Sequence, residues 1–558
     1  MAVEGRSGSN HRWGLPEITH SFWSGLRGGR RAPLALVIPS LCAAVLVSVP
    51  LIYVFVRAFE RGWSTWFDAL SSYDGAGLLL RTVLLVVGVV ALSLVIAVPM
   101  AWLVTRTDLP GRRLWALLGA VPLIFPSYIA AFTLVAVLGP RGYLQQAVGR
   151  FGVESIPGVA YGYSGALLAL ALFTYPYLYL LLIASLRESD PALEEASRVL
   201  GSGSWSTFFR VILPQTRPAL YGGTLLIILY TLSDFGAVSI VRYNTYTLAI
   251  YNAYRALFDR TIAASLATAL ILLTLAFIAI EVALMRRVRS GPPRPRRVLR
   301  PVPLGRWRGA SLIFLGSIAL LTVAVPIATI LHWGWRALAY GRAAGEVVQP
   351  ALNSVGAAAL AAAVAVALAI APAVWSGRYR SRSSTIVEKL AAAGYALPGI
   401  VIALALVVFS LRFVPWIYQT LALLIAGYVI RFLPEAIAAT RSAIVAIPRE
   451  LEEAARMLGR GPLATLASVT IPLMRRGILA GASLVFLTTM KELPATLILR
   501  PIGFETLATR IWTTASEGFY SETAAPALLL VLGSALPVYW FVIRPVLEEH
   551  PSSTRGQR

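Results

Sequence analysis

The 558-residue sequence is poor in lysine, cysteine, histidine and charge of either sign. Its two lysines, Lys389 and Lys491, are preceded by Glu388 and Met490. A GxxxxGK[ST] loop needs a glycine at that place, so this chain cannot build that phosphate cradle. The single cysteine, Cys42, excludes an intrachain disulfide and any cysteine-based zinc site. His11, His20, His332 and His550 are scattered and form no ligand cluster. No HExxH, GxSxG or EF-hand pattern occurs. Nothing in this inventory supports an enzyme or a bound cofactor. Charged residues make up 13% of the chain and hydrophobic ones 57%, which argues against a soluble multidomain protein. The net charge of +23 comes from arginines clustered in loops between apolar runs. That distribution fits the positive-inside bias of membrane proteins rather than a nucleic-acid surface.

What the sequence has in quantity is apolar length. Runs of about 20 residues, enough to cross the hydrocarbon core, recur throughout. Arg30-Arg31 ahead of the first run superficially resembles a twin-arginine export signal. The run from Pro33 to Val56 is longer than the roughly 7–15 residues of a signal h-region, so it reads as an uncleaved first span with the N-terminus inside. Further spans are expected at about 78–104, 113–138, 164–186, 218–241 and 262–285. Arg286 to Arg308 holds nine arginines and five prolines and is too charged to cross. A second series is expected at about 310–332, 351–375, 390–411, 417–440, 477–500 and 523–545. The reading is an all-α membrane protein of about twelve transmembrane helices in two six-span units, 33–285 and 310–545. A cytoplasmic tail (1–32), an Arg/Pro-rich cytoplasmic linker (286–309) and a second cytoplasmic tail (546–558) complete it. His332 and the tryptophans Trp13, Trp63, Trp66, Trp307 and Trp335 read as anchors at the membrane interface.

The two units are copies. Leu193–Pro214, LEEASRVLGSGSWSTFFRVILP, returns at Leu451–Pro472 as LEEAARMLGRGPLATLASVTIP, identical at eleven of 22 positions with an offset of 258. Asp190-Pro191 supplies an N-cap and a proline at the first helical position. Glu194 and Glu195 then lie near the positive end of the helix dipole. Leu193, Ala196, Ser197 and Leu200 form an amphipathic stripe that leaves out Glu194, Glu195 and Arg198. Gly201 stands where a left-handed residue ends a helix. The second copy has Pro448 as opener, Glu452, Glu453, Ala454 and Arg456 in the helix, and Gly459 as its stop. Each element should be a short helix, a glycine turn and another short helix at the cytoplasmic membrane surface.

The same offset relates Pro176 to Pro434, Asp234 to Glu492 and Arg242 to Arg500. Earlier in each unit it becomes 272, relating Arg81-Thr82 to Asn353-Ser354, Arg106 to Arg378 and Pro126 to Pro398. About fourteen extra residues therefore fall in the first unit, in the Gly139–Gly162 loop. Six spans apiece give both copies one orientation, a parallel duplication about an axis along the membrane normal.

The twin segments, with Glu195–Ser197, Gly201 and VILP in one and Glu453–Ala455, Gly459 and VTIP in the other, resemble the EAA…G…I-x-L-P motif of the membrane subunits of binding-protein-dependent ABC importers. Serine in the first copy and valine for the motif's isoleucine are departures from it. The resemblance covers about residues 33–545 and implies the type I importer permease fold. It implies that each element is a coupling helix seated in a groove of a separate cytoplasmic ATPase dimer. Glu194, Glu195, Ala196, Arg198 and Gly201 would belong to one contact, and Glu452, Glu453, Ala454, Arg456 and Gly459 to the other. ATP and Mg2+ would be bound by that partner. A soluble periplasmic or extracellular binding protein would deliver substrate to a chain lodged in a bacterial-type inner membrane. LSDFGAVSIVRYNTYTLAIY at Leu232–Tyr251 and MKELPATLILRPIGFETLATRIW at Met490–Trp512 are similar to the ferric-iron permease branch. Fused permeases for thiamine, phosphonate or polyamine share the architecture, so the cargo stays open.

Asp234 and Glu492 occupy equivalent places at or past the middle of the fifth span, each followed eight residues later by Arg242 or Arg500. Carboxylates at that depth are costly unless they face water, a partner or a cargo. They either line a translocation path, with Tyr243 and Tyr246 as further oxygen donors, or pair with Lys491 or Arg242 and hold a bent span. Two other classes compete with the importer subunit. An ion-gradient transporter should carry ionisable residues inside its spans, whereas most charges here lie in loops or at span ends. A membrane scaffold would not co-purify with an ATPase.

Overall fold

The computed structural model describes residues 32–60, 62–150, 158–255, 260–286, 301–339, 347–379 and 381–540. The two tails and most of the linker lie outside them. The described chain is helical, apart from one isolated parallel bridge between Thr107 and Val302. Nine helices among the described residues are long and apolar enough to cross a membrane, and a tenth if one bent pair counts as a span. Over their described residues all twelve apolar runs lie on helices, but four of them are broken.

The exceptions have local causes. In the third segment Arg112–Ile124 meets the helix that begins at Ser127 at an angle of 99°. Pro126, with φ −62° and ψ 153°, opens the new helix in extended backbone. Its ring also holds the preceding Phe125 extended. Pro398 does the same in the second half, where the helix that follows, Gly399–Phe413, has 15 residues. The fifth segment of the first half is Arg217–Ser233, 17 residues, which stops at Asp234 and restarts as Gly236–Ile240. Its counterpart stops at Met490 and restarts as Pro494–Leu499. Each restarted piece is followed by a further helix, Tyr246–Arg255 or Leu507–Ser516.

The first helix of each half packs on the other half as well as on its own. Leu34–Phe59 lies against Val348–Arg378, Arg382–Ala391 and Gly399–Phe413. Tyr53 meets the rings of Phe409 and Phe413 edge-on at 6.1 and 5.2 Å. Reciprocally, Val325–Ala339 lies against Ser127–Leu138, and Tyr143 meets His332 at 5.1 Å. The tryptophans divide: Trp63, Trp307 and Trp335 are exposed, but Trp66 is buried and its indole donates to the Thr268 hydroxyl at 3.2 Å. The described end of the linker is fastened to the first half. Val302 donates to the Arg106 carbonyl at 2.8 Å and accepts from the Asp108 amide at 3.1 Å, while the Leu304 amide donates to the Asp108 carboxylate at 2.9 Å.

Candidate functional site

The duplicated polar elements fold as two short helical pieces around a glycine. In the first, Pro191–Val199 ends before Gly201, whose φ is +80°; in the second, Arg449–Met457 ends before Gly459, with φ +83°. Each element is held by an arginine from the end of the second span. Arg106 pairs with Glu194 at 2.9 Å and donates to the Ser189 hydroxyl. Arg378 pairs with Glu452 at 3.0 Å and donates to the Ile447 carbonyl at 2.9 Å. Ser189 and Ile447 are equivalent positions, so both guanidiniums hold the same residue of the repeat, one through a side-chain hydroxyl and the other through a backbone carbonyl. Both carboxylates are buried and therefore anchor their elements from within.

Three of the four residues of the expected stripe, Leu193, Ala196 and Leu200, face outward, joined by Val199. Leu193, Val199 and Leu200 are exposed, as are Leu451, Met457 and Leu458, and the last two of each set are more than 80% exposed. Glu195, Ala196, Glu453 and Ala454 share that outer surface, and Ser197 turns in to hydrogen-bond Thr207 at 3.1 Å. Arg456 is half-buried and donates to the Tyr379 hydroxyl at 3.4 Å. The side chain of Arg198 lies outside the described residues. Two matched apolar patches on anchored helices are surfaces a partner can cover.

A second constellation lies where the halves meet. Asp234 accepts from the Ser127 hydroxyl and from the amides of Ala237 and Val238 at 3.0 and 3.3 Å. It thus caps the restarted piece of its broken span. Glu492 accepts from the Ala495 amide at 3.2 Å and pairs with Arg431 at 3.1 Å. Arg431 reaches across to the Ser233 hydroxyl at 3.0 Å. Lys491 donates to the Leu123 carbonyl of the other half at 2.8 Å, and the Trp512 indole to the Ser239 hydroxyl at 2.8 Å. A Cβ on Gly399 would lie 2.4 Å from an Arg431 nitrogen and 2.5 Å from a Glu492 oxygen, so the ion pair fits because residue 399 has no side chain.

The acids thus have partners other than Lys491 and Arg242. Arg242 is exposed, adopts φ +57° and stands over the Tyr161 ring at 5.8 Å, while Arg500 approaches Glu505 at 3.9 Å. Tyr243 and Tyr246 donate to the carbonyls of Arg81 and Gly75 at 3.1 and 3.0 Å, away from Asp234. Sequence reasoning passed over Arg431 and Glu435, although both stand inside the apolar run of Leu421–Ala446. An ionisable residue within a span was the signal available.

Two stretches, 93–290 and 365–543, match the family described as binding-protein-dependent transport system inner membrane component. The chain belongs to that family. The permease is 31% identical over 522 residues to the Fe(3+)-transport system permease protein FbpB 2 of Haemophilus influenzae, covering 91% of this chain and 98% of that one. It is 30% identical over 201 residues to the sulfate transport system permease protein CysW of Escherichia coli, covering 36% and 68%. With the molybdenum transport system permease protein ModB of Escherichia coli it shares 32% over 162 residues, covering 28% and 69%. The permease is therefore a multi-pass inner-membrane subunit of a binding-protein-dependent importer, with the family's domain present twice.

Proposed function

We propose that this permease imports ferric iron handed over by a periplasmic or extracellular binding protein, driven by a separate cytoplasmic ATPase dimer that binds ATP and Mg2+. The observation that carries the reading is the match to a ferric permease along nearly the whole chain, both repeats and the fusion included. The matched apolar patches at Val199-Leu200 and Met457-Leu458 are the contacts we assign to the ATPase. Closure of the ATPase dimer on ATP would draw the two elements together. The buried pairs Arg106–Glu194 and Arg378–Glu452 would carry that movement into Gly75–Arg106 and Val348–Arg378. Arg217–Ser233 and Ile471–Met490, which continue from the elements to the seam, would part at Asp234 and Glu492. In this reading the acids cap hinged spans and Arg431 closes the seam between them.

The sulfate and molybdenum relatives favour a second reading, an oxyanion path. The test is uptake in cells lacking their own ferric importer, supplied with the permease, its ATPase and its binding protein. Radiolabelled ferric iron should accumulate, and excess sulfate or molybdate should not compete. Accumulation of either oxyanion without iron uptake overturns the reading.

A further inference from the structure

Glu435 takes no part in the seam or the coupling elements described above. It stands on Leu421–Ala446 one turn after Arg431, and residues four apart share a helix face. Since Arg431 reaches Ser233 of the other half, that face looks across the seam. Glu435 is half-buried, and its carboxylate accepts from the Thr488 hydroxyl at 3.0 Å. Thr488 lies three residues before the break at Lys491, on the helix that comes from the second coupling element. At 1.5 Å per residue this puts the carboxylate about 5 Å to the ATPase side of the break.

The offset of 258 carries Glu435 to Tyr177 and Thr488 to Tyr230. Those two rings are in contact as well, with centroids 5.7 Å apart, and both are half-buried. On the ATPase side of that break, then, the halves offer two equivalent contacting pairs, a carboxylate with a hydroxyl and two phenols. Every polar side-chain atom of that set is oxygen, and its one carboxyl, that of Glu435, lies one turn from the Arg431 guanidinium. An all-oxygen set of this kind suits a hard, highly charged cation.

We infer that Glu435 is a specificity-determining residue of the path, contacting the cation after it has passed the Asp234–Glu492 break, with Tyr177 and Tyr230 completing an oxygen-lined exit. This inference rests on the ferric-iron reading. Its carboxylate serves as a transient contact, lightly held by the Thr488 hydroxyl with Arg431 one turn away, so that the ion is released onward.

The experiment compares wild type, Glu435→Gln and Glu435→Asp in proteoliposomes holding permease, ATPase and binding protein, with radiolabelled ferric iron as probe. We expect Glu435→Gln to lower iron uptake at least tenfold and Glu435→Asp to retain more than a third of it. Assembly and binding-protein-stimulated ATP hydrolysis should stay within twofold of wild type in both. Iron uptake unchanged in Glu435→Gln overturns the inference while leaving the ferric reading intact. Loss of assembly or of stimulated hydrolysis makes the carboxylate structural and equally overturns it. Failure of wild type to carry iron refutes the ferric reading, and with it the inference.

Discussion

At equivalent positions the first half has Ser127, Phe173, Tyr177 and Asp234 where the second has Gly399, Arg431, Glu435 and Glu492. Both halves face one task at the break in the fifth span, which is to satisfy the amides of a helix that restarts inside the membrane. The first half does so with a short acid and a neighbouring hydroxyl. The second uses an acid one methylene longer, makes room by dropping a side chain at residue 399, and balances the charge with Arg431. The coupling elements show the opposite behaviour: Arg106–Glu194 and Arg378–Glu452 are nearly superimposable in their chemistry. Shared backbone geometry tolerates different chemistry as long as each buried acid is paired within its own half.

The sharpest way to break the similarity of the coupling elements is to remove one anchor. Arg378→Ala leaves Glu452 buried without its cation, a class of change that costs about 3–5 kcal/mol. Uptake and co-purification of the ATPase should both be lost, and Arg106→Ala should do the same. Arg378→Met with Glu452→Met should recover more ATPase binding than Arg378→Ala alone, as pull-down against the ATPase will show. The contrast at the seam is sharpened by exchange. Gly399→Ser imports the first half's residue into a space filled by the ion pair and should lower uptake at least tenfold. Ser127→Gly removes a single hydrogen bond, worth about 1 kcal/mol, and should cost only a few-fold. Likewise Glu492→Gln, which strands Arg431, should reduce transport more than Asp234→Asn. Equal effects in either pair would mean that the halves work identically at the break in the fifth span. The smallest effects are expected at the turns. A Cβ on Gly201 or Gly459 meets nothing within 4 Å, so a valine there pays only for the left-handed backbone, roughly 1–2 kcal/mol. Gly201→Val and Gly459→Val should each weaken ATPase binding modestly with membrane insertion unchanged, measured by titration of the ATPase onto reconstituted permease.

Much of the architecture was legible beforehand because it is written in periodicity. Apolar length marked every segment, the offsets of 258 and 272 aligned the repeats, and glycine chemistry located the turns at Gly201 and Gly459. The breaks were harder, because a proline in an apolar run is compatible with a kinked span; that Pro126 and Pro398 open new helices depends on what packs around them. The direction of the stripe through Leu193, Ala196 and Leu200 was beyond periodicity altogether. A helical period identifies an apolar face but not whether its own chain or another covers it. Arg431 lies far from Glu492 in sequence, and its pairing depends on the absence of a side chain at Gly399, a three-body relation with no local signature.

The exchange of first helices also has a consequence for synthesis. Leu34–Phe59 emerges from the ribosome roughly 300 residues before Val348–Arg378, on which it packs. At about 5–20 residues per second, that helix waits about 15–60 s in the bilayer for its partner. By the end of that interval the first half is a finished sequence but an incomplete body, open to lipid or insertion machinery where Arg308–Ala339 will later pack. Assembly of this chain is thus ordered in time, and its earliest helix completes its packing only once the second half has been made.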